Sequence, residues 1–221
     1  MNKFTLTCLI PFYNESARCV SVLRQLTTTA EIDRFICVDD GSTDNTTRLV
    51  QTTFPQVKII VLPENRGKSA AIQAGLEEVT TTHTLLFDAD MHDFSVDEVE
   101  AGIQAVRNNR GIDLLIFQQK NDPVLSKVLN TDILFSGERI GKTAALRAAC
   151  KQKMTGYFLE LAMNHFFFSQ QYVVRCMPLH ASNYMKLQKW PIQTTLKKSW
   201  QLFLLLCSGQ FWQQRQQLRR L

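Results

Sequence analysis

The sequence predicts an α/β fold with a doubly wound, mostly parallel sheet. Two observations support this prediction. Short apolar runs alternate with segments of helical periodicity through the first 120 residues, a pattern typical of parallel strands joined by crossover helices. A polar cluster follows each of the first four apolar runs. The carboxyl ends of parallel strands form the edge at which such sheets bind ligands, so these clusters predict a binding site.

Residues 1–120 are predicted to contain strands and helices in strict alternation. The strands are the apolar runs FTLTCLI, RFICVD, VKIIVL, HTLLFD and IDLLIF, each of a length typical of buried strands. Apolar residues recur at helical spacing between these runs. The helices are predicted over residues 14–29, from a cap at Ser42 or Thr43 to the break at Pro55, over residues 66–79 and over residues 96–107.

The chain after residue 121 breaks this alternation. PVLSKVL is predicted to be helical, TDILFSGERIGKTAALRAAC to be a loop followed by a helix, GYFLELAMNHFFF to be an apolar helix, and QYVVRCMPL to be a strand with Pro178 near its end. No linker or repeat separates the two parts. The expected organisation is one domain made of residues 1–120 and 121–189, followed by a tail over residues 190–221.

Charge is divided unevenly along the chain. Residues 1–120 contain 11 lysines and arginines against 16 acids, whereas residues 121–221 contain 14 against 4, and no acid follows Glu160. The tail holds all three tryptophans and repeats apolar residues at helical spacing. An anionic membrane surface would explain these features. The alternatives are a solvated basic face, and a tail helix docked on the protein's own core.

The composition indicates the class of protein and the cellular compartment that we expect. The chain is 45% hydrophobic, as in an ordinary globular protein, and no apolar run approaches the roughly 20 residues of a membrane-spanning helix. A signal peptide is not expected, because Asn2 and Lys3 lead directly into the first strand. The six cysteines lack metal-ligand spacing and are expected to be reduced. We therefore expect a cytoplasmic protein, attached peripherally to the inner face of the membrane if at all, in which the sequon at Asn45 is incidental.

Two acidic pairs end predicted strands. CVDD ends the second strand and LLFDAD ends the fourth. Side chains alternate along a strand, so Asp88 and Asp90 are predicted to point to the same side. Two carboxylates make an oxygen-only site with few protein ligands, which suits Mg²⁺ or Mn²⁺ bridging to phosphate groups. The alternative is that these are ordinary loop aspartates.

Four motifs carry a resemblance to a known family. IPFYNE, CVDDGSTDNT, NRGKSAAIQAG and LLFDAD, in this order and spacing, resemble the motifs of family 2 glycosyltransferases of the GT-A fold. The resemblance is strong over the first 120 residues and continues less specifically through SGERI, GYFLELAMN and MPLHASNYMKLQK. It implies a single GT-A domain whose first half binds a nucleotide-diphospho-sugar and whose C-terminal, partly helical half binds the acceptor.

The resemblance also implies an activity and its partners. The expected reaction is the metal-assisted transfer of a sugar, with a hexose the expected sugar, from a UDP- or GDP-linked donor. The acceptor would be a lipid phosphate, a glycan or a small phosphorylated molecule. Departure of the nucleoside diphosphate builds negative charge, which Mg²⁺ or Mn²⁺ would neutralise. No nucleic acid partner is expected.

Roles for individual residues follow from the same resemblance. The base and ribose of the donor would contact the backbone of Pro11 and Phe12 and the carboxylate of Glu15. Asp39 would accept a hydrogen bond from a uracil-like ring N–H, and Asp40 would support its own turn or contact the ribose. Lys68 would contact the base or the phosphates; the alternative is a solvated lysine at the start of a helix. Asp88 would contact the ribose or the metal, and Asp90 would be the main metal ligand.

The catalytic base has two candidates. Glu160 lies in an otherwise apolar helix, where an unpaired carboxylate is unfavourable, and its position resembles a glutamate that faces the acceptor in related enzymes. Asp122 ends a strand before Pro123. The alternative for Glu160 is a structural salt bridge to Arg139 or Arg147. A phosphate acceptor would need no strong base.

The segment MPLHASNYMKLQK resembles a loop in which a histidine often reaches the metal. Asn183 occupies that position in this chain, and His180 lies three residues earlier. Both are therefore candidate metal ligands.

Two other functions are left open. A nucleotidyltransferase that forms sugar nucleotides would have a glycine-rich basic loop after the first strand, where this chain has PFYNE. A catalytically silent, membrane-associated partner subunit would not need the carboxylates of Asp39, Asp88 and Asp90.

Overall fold

The computed structural model describes residues 3–119, 136–151 and 158–183, which contain nine strands and six helices. The strands are β1 (Leu6–Phe12), β2 (Arg34–Asp39), β3 (Lys58–Val61), β4 (His83–Leu86), β5 (Met91–His92), β6 (Leu114–Gln119), β7 (Arg139–Lys142), β8 (Val174–Leu179) and β9 (Ser182–Asn183). The helices are α1 (Ser16–Leu26), α2 (Thr46–Thr53), α3 (Lys68–Glu78), α4 (Val96–Asn108), α5 (Thr143–Cys150) and α6 (Phe158–Ser169).

Seven strands form one sheet in the order β3-β2-β1-β4-β7-β6-β8. β1 pairs in parallel with β2 and β4, β2 pairs in parallel with β3, and β6 with β8. β7 runs antiparallel to both of its neighbours, β4 and β6. β5 and β9 form a separate antiparallel pair. The doubly wound, mostly parallel sheet predicted from the sequence is confirmed.

Helices cover both faces of this sheet, because side chains of its central strands alternate between two buried cores. Cys8 and Ile10 of β1 face a core shared with α1, α2 and α4. Leu9 faces a second core shared with α3, α5 and α6. Burial of apolar surface on both sides is the main stabilising contribution, and it explains why the strands are continuous apolar runs.

The strands and helices predicted in residues 1–120 are present, with ends that differ by a few residues. One predicted helix cap is wrong, since α2 begins at Thr46 rather than after Ser42 or Thr43. The hydroxyls of Ser42 and Thr43 instead accept hydrogen bonds from Asn14. The start of α2 is displaced because those side chains hold the preceding loop. The apolar helix and the strand predicted near the end of the domain are present as α6 and β8.

The prediction of a loop before α5 is wrong in part. Residues Arg139–Lys142 of that segment form β7, which lies in the middle of the sheet. Its four residues, RIGK, include one large apolar side chain, Ile140. Gly141 admits close neighbours, since a Cβ there would lie 3.1 Å from Cγ of Leu146 and 3.2 Å from Cδ1 of Leu114. The strand conformation of β7 therefore depends on its pairing with β4 and β6, and not on the intrinsic propensity of its residues. The predicted helix PVLSKVL and the tail over residues 190–221 lie outside the described residues.

The two parts of the chain on either side of residue 120 share one sheet, since β7 and β8 pair with β4 and β6. Within the described ranges, no helix has the length and apolar character needed to cross a bilayer. The five cysteines in those ranges are free thiols, and Cys8, Cys19 and Cys37 are buried.

The close approach of α3 to the sheet predicts the effect of Gly75→Ala. A Cβ at Gly75 would clash with Cδ1 of Leu9 and lie 2.8 Å from Cγ2 of Val38. Overpacking of this kind costs about 1–3 kcal/mol, which exceeds the gain of roughly 0.5–1 kcal/mol from removing a helical glycine. We expect a net loss of stability in urea unfolding. The exposed Gln73→Ala substitution on the same helix should leave the unfolding free energy nearly unchanged, and an equally stable Gly75→Ala protein would contradict the packing.

Candidate active site

The polar loops after β1, β2, β3 and β4 meet at one edge of the sheet, because these four strands are parallel. Asn14, in the first loop, has a left-handed φ of 54°, which asparagine tolerates better than most residues. Its backbone N–H donates to Oγ of Ser42 at 2.9 Å, and its Oδ1 accepts from the backbone N–H of Thr43 at 2.9 Å. The backbone N–H of Glu15 donates to Oγ1 of Thr46 at 3.1 Å. The first two loops are thus held together.

Asp39, the first acid of the pair in CVDD, is buried at the end of β2. Its Oδ1 accepts a hydrogen bond from the backbone N–H of Ser42 at 2.7 Å, and its Oδ2 accepts one from the hydroxyl of Thr47. These contacts shape the turn that leads to α2. A carboxylate oxygen has more than one lone pair, so Asp39 keeps acceptor capacity toward a ligand.

Asp40 connects the second loop to the third. Its Oδ1 accepts from the backbone N–H of Arg66 at 2.9 Å and its Oδ2 from that of Gly67 at 2.8 Å. Gly41 has a φ of 72°, and a Cβ there would lie 2.5 Å from the backbone carbon of Glu64. The carboxylate of Asp40 and the absence of a side chain at Gly41 therefore set the position from which α3 begins.

The remaining residues predicted to contact the nucleotide lie along the same edge. Pro11 and Phe12 are the last two residues of β1, both are buried, and they pair with Val38 and Asp39 of β2. The carbonyl of Phe12 accepts from the backbone N–H of Asp40 at 2.9 Å. The carboxylate of Glu15 forms an ion pair with Arg18 at 2.7 Å. A role for these three residues in binding a nucleotide stays a prediction.

Lys68, the first residue of α3, is not a solvated lysine. Its Nζ lies 2.7 Å from Oδ1 of Asp88 and 3.0 Å from Oε1 of Glu160, and its side chain is 34% exposed. Burial by itself would lower the pKa of Lys68, but the charges of Asp88 and Glu160 outweigh it and raise the pKa above its ordinary value. The ammonium is therefore charged at every pH at which the protein would be assayed.

The salt bridge of Glu160 to Arg139 or Arg147, which was one interpretation of the sequence, is wrong. The carboxylate of Glu160 pairs with Lys68, and its side chain is 10% exposed. Arg139 is buried in β7 and donates to the backbone carbonyl of Glu160 at 3.5 Å and to Oδ1 of Asn164 at 3.1 Å. Arg147 donates to backbone carbonyls at the end of α3. Asp122, the other candidate base, lies outside the described residues.

Asp88 and Asp90 follow the end of β4 at Leu86 and lie where the chain turns toward β5. The assumption that both extend a strand is therefore wrong, although burial still alternates. Phe87 and Ala89 are buried, whereas Asp88 and Asp90 are partly exposed. No three His, Cys, Asp or Glu side chains form a metal cluster in the described part of the chain. Two accessible carboxylates fit Mg²⁺ or Mn²⁺ whose remaining ligands are phosphate oxygens.

The loop that contains His180 and Asn183 returns to the same region. β9 pairs with β5 so that Asn183 lies opposite Met91, the residue after Asp90. His180 lies beside the first turn of α4 and contacts Glu98 of that helix. Its Nδ1 is 2.6 Å from Oε1 of Glu98, and its backbone N–H donates to Oε2 of Glu98 at 2.5 Å. The pairing brings the backbone of Asn183 close to Asp90, while Glu98 holds His180. Binding of a metal by either residue stays a prediction.

Glu138 is a residue of this region that the sequence analysis missed. It precedes β7 and is fully buried, with Oε2 accepting from Nε2 of Gln119 at 2.9 Å and from Oγ of Ser136 at 3.2 Å. Within the described ranges its buried Oε1 has no hydrogen-bond partner. Burial and the charge of Asp88 raise the pKa of Glu138 to about 7. The segment SGERI contains this acid, but its burial and its contact with Gln119 depend on residues distant in the chain, which one sequence does not show.

The fold and the site together indicate a class of ligand-binding protein. An open α/β sheet whose carboxyl edge gathers carboxylates and a lysine is an arrangement suited to a nucleotide and a divalent cation. The family model of glycosyl transferase family 2 matches residues 7–172, which is well over half of the chain. The chain belongs to this family.

Relatives with assigned names match smaller parts of the chain. It is 36% identical over 98 residues to a dolichyl-phosphate beta-glucosyltransferase of Trichomonas vaginalis, covering 38% of this chain and 28% of that protein. It is 30% identical over 130 residues to the undecaprenyl-phosphate 4-deoxy-4-formamido-L-arabinose transferase of Pseudomonas fluorescens, covering 50% of this chain and 38% of that protein. The matches therefore span well under half the length of these relatives.

Solved structures share the fold over most of the chain. Glucosyl-3-phosphoglycerate synthase from Mycobacterium tuberculosis, in complex with Mn²⁺ and UDP-glucose, superposes with a TM-score of 0.69. The match covers 90% of this chain and 77% of that one at 18% sequence identity. This likeness shows the GT-A fold that the sequence motifs imply.

The buried carboxylate of Glu138 predicts a change in the pH dependence of stability. In the unfolded chain Glu138 would ionise near its ordinary pKa of 4.5, whereas in the folded protein it ionises near 7. Between these values the folded state binds more protons, so its stability falls as the pH rises. Glu138→Gln should therefore be more stable than wild type at pH 8 and lose less stability between pH 5 and pH 8.

The measurement is thermal unfolding in EDTA at a series of pH values. One unit of pKa shift corresponds to about 1.4 kcal/mol, and each kcal/mol moves Tm by roughly 2–4 °C in a domain of this size. The exposed Glu77→Gln substitution serves as the control and should follow wild type. If Glu138→Gln and wild type lose Tm in parallel, the carboxylate does not ionise differently in the folded state.

Proposed function

We propose that this protein is a glycosyltransferase that moves a sugar from a nucleotide-diphospho-sugar to a phosphorylated acceptor. The observation that carries the proposal is the convergence of Asp39, Lys68, Asp88 and Asp90 on one edge of the sheet, through contacts that join the loops. Membership of glycosyl transferase family 2 supports it. The donor we propose is UDP- or GDP-linked and transfers a hexose.

The donor would lie across the ends of β1 and β2. In this arrangement Asp39 accepts a hydrogen bond from a ring N–H of the base, and the backbone of Pro11 and Phe12 with Glu15 borders the base and ribose. Asp40 acts on the donor site through the third loop, since both of its oxygens hold that loop. The ammonium of Lys68 is placed for an anionic diphosphate, because it carries its full charge.

Asp88 and Asp90 are the residues that would hold Mg²⁺ or Mn²⁺, with His180 and Asn183 as further candidates on the neighbouring loop. The ion, when bound, neutralises the charge that develops on the departing nucleoside diphosphate. Lys68 contributes to the same stabilisation from the protein side, because an ammonium fixed close to a leaving phosphate lowers the energy of that charge.

Glu160 is our candidate for the group that accepts the proton of an acceptor hydroxyl. Its carboxylate is largely buried beside Lys68, and α6 is attached to the sheet by Arg139. Asp122 is retained as a second candidate. An acceptor that is already an ionised phosphate has no proton to lose and would need neither residue.

The acceptor we propose is a phosphorylated one. Dolichyl-phosphate and undecaprenyl-phosphate appear in the names of two relatives, and phosphoglycerate is bound in structures of the mycobacterial synthase. The basic second half of this chain, with 14 lysines and arginines against 4 acids after residue 120, is suited to anionic partners. We propose that the protein is cytoplasmic and that this basic half brings it to a lipid phosphate at the membrane surface. A glycan acceptor at that surface is the alternative.

The test is a two-stage screen of the full-length protein. Hydrolysis and binding of UDP- and GDP-sugars with Mn²⁺ or Mg²⁺ identify the donor. Transfer is then measured to small phosphorylated acids and to polyprenyl phosphate in anionic vesicles, with neutral vesicles as the control. We expect one donor to be used with a divalent cation. Failure to bind any nucleotide sugar would overturn the proposal.

Asp90→Asn should reduce sugar transfer by at least about 100-fold, because it removes a charge from a site with few protein ligands for the metal; even outer-shell changes at metal sites cost 10–100-fold. Tm should change little, since Asp90 is partly exposed. Asp93→Asn, an exposed aspartate three residues along, is the matched control and should retain activity. Near-normal turnover of Asp90→Asn at saturating Mn²⁺ would remove Asp90 from the metal site.

Asp39→Ala should weaken binding of the free nucleoside diphosphate by roughly 1–3 kcal/mol, the cost of a lost hydrogen bond to a buried polar group. The concentration of metal needed for half-maximal activity should change less. Calorimetric titration with UDP and GDP is the measurement. Thr47→Val controls for disturbance of the turn, because it removes one partner of Asp39 and keeps the carboxylate. Equal dissociation constants for wild type and Asp39→Ala would exclude Asp39 from the pocket.

A further inference from the structure

One lysine joins two carboxylates that belong to different parts of the fold. Nζ of Lys68 lies 2.7 Å from Oδ1 and 3.0 Å from Oδ2 of Asp88, and 3.0 Å from Oε1 of Glu160. Asp88 follows β4, at the edge where the donor is proposed to bind. Glu160 lies in the first turn of α6, on the part of the chain proposed to face the acceptor. A single ammonium therefore connects the two proposed half-sites.

Negative charge exceeds positive charge around this ammonium. The carboxylates of Asp88, Glu160 and Glu138 all raise the pKa of Lys68. Arg139, the nearby buried cation, directs its donors to backbone and amide oxygens instead: the carbonyls of Ser136 and Glu160 and Oδ1 of Asn164. In the described part of the chain, Lys68 is thus the cation paired with the Glu160 carboxylate.

The attachments of α6 allow the Glu160 carboxylate to change partner while its backbone stays in place. Arg139 holds the helix by the carbonyl of Glu160 and by Asn164 one turn later. Lys68 contacts only the end of the Glu160 side chain. A rotation of side-chain torsions in either residue separates them, and no movement of the helix or of β7 is required.

We propose that Lys68 exchanges Glu160 for the diphosphate of the donor. This inference rests on the proposed function and goes beyond it by coupling the two half-sites. A diphosphate carries more negative charge than one carboxylate and offers several acceptor oxygens, so it competes for the N–H donors of Lys68. When Lys68 turns to the diphosphate, the carboxylate of Glu160 loses its partner and becomes available to the acceptor hydroxyl.

This exchange couples the affinity for the donor to the pairing of Glu160 with Lys68, so that each weakens the other. If the donor must displace Glu160 from Lys68, then Glu160 weakens donor binding, and removing its charge must strengthen it. The arrangement also favours binding of the donor before the acceptor, because the carboxylate is paired until a diphosphate arrives. Most substitutions in a binding site weaken binding. A Glu160 variant that binds the nucleotide more tightly would therefore distinguish the exchange from simple damage to the site.

The test is calorimetric titration of the full-length protein with UDP and with GDP, each in Mn²⁺ and in EDTA. We expect Glu160→Gln to bind the preferred nucleotide about 3–10-fold more tightly than wild type. Lys68→Met should bind it at least about 10-fold more weakly. In the Lys68→Met background, Glu160→Gln should give no further gain, because the competition acts through the lysine.

Glu78→Gln is the matched control. Glu78 forms an exposed ion pair with Lys58 at 2.6 Å at the opposite end of α3 from Lys68, so its loss should leave nucleotide affinity unchanged. Glu160→Met provides a second uncharged variant of similar size, used if Glu160→Gln lowers Tm enough to unfold the protein. Tm is measured for every variant.

The outcomes separate the two proposals. If wild type binds neither UDP nor GDP, the proposed donor site is wrong and the exchange falls with it. If wild type binds a nucleotide and the uncharged Glu160 variants bind it equally well or more weakly, the exchange is overturned and the donor site stands. An equal gain from Glu160→Gln with and without Lys68 would also overturn the exchange, since Glu160 would then repel the nucleotide directly.

Discussion

The parallel pairing of β1 with β2 on one side and with β4 on the other is the constraint on which the site depends. It aligns the carboxyl ends of these strands, and the pairing of β2 with β3 adds a fourth. Polar groups that are far apart in the chain are thereby brought within hydrogen-bonding distance, as Asn14 is with Ser42 and Asp40 with Gly67. The apolar interior of the sheet supplies the stability that allows its edge to carry so many acids.

The acids of this edge have separable tasks. Asp39 and Asp40 accept hydrogen bonds from backbone N–H groups, which shape their own turn and fix the loop before α3. Asp88 and Glu160 share the charge of Lys68. Glu138 is buried beside Asp88, and one of its oxygens has no hydrogen-bond partner among the residues that the structure describes. Buried and partly buried charges of this kind stabilise a fold poorly, so their concentration at one edge is more readily explained by ligand binding than by folding.

β7 connects the two parts of the chain more closely than a division near residue 120 implies. It enters the sheet between β4 and β6 and carries Arg139, while Gly137 and Glu138 just before it approach Asp88. A Cβ at Gly137 would lie 2.6 Å from Oδ2 of Asp88. The segment after residue 135 therefore contributes to the wall of the carboxyl edge as well as to the sheet.

The sequence by itself determined the doubly wound sheet, its first five predicted strands and the edge that gathers the polar loops. Continuous apolar runs and helical periodicity are local properties, and strand direction then places the ends of parallel strands together. The motifs were also sufficient to indicate the family. The acids of CVDD and LLFDAD were recognisable because charges that end a buried strand stand out against it.

Only the tertiary structure decided which partners these residues have. Whether Glu160 pairs with Arg139, Arg147 or Lys68 depends on how α6 lies against α3, a contact between residues 92 positions apart. β7 was missed because its four residues have no strand pattern of their own and are ordered by pairing on both sides. Glu138 was missed because its full burial and its closeness to Asp88 come from neighbours distant in the chain. Burial and pairing are properties of the neighbours that long-range packing supplies, and a single sequence does not encode them as a local pattern.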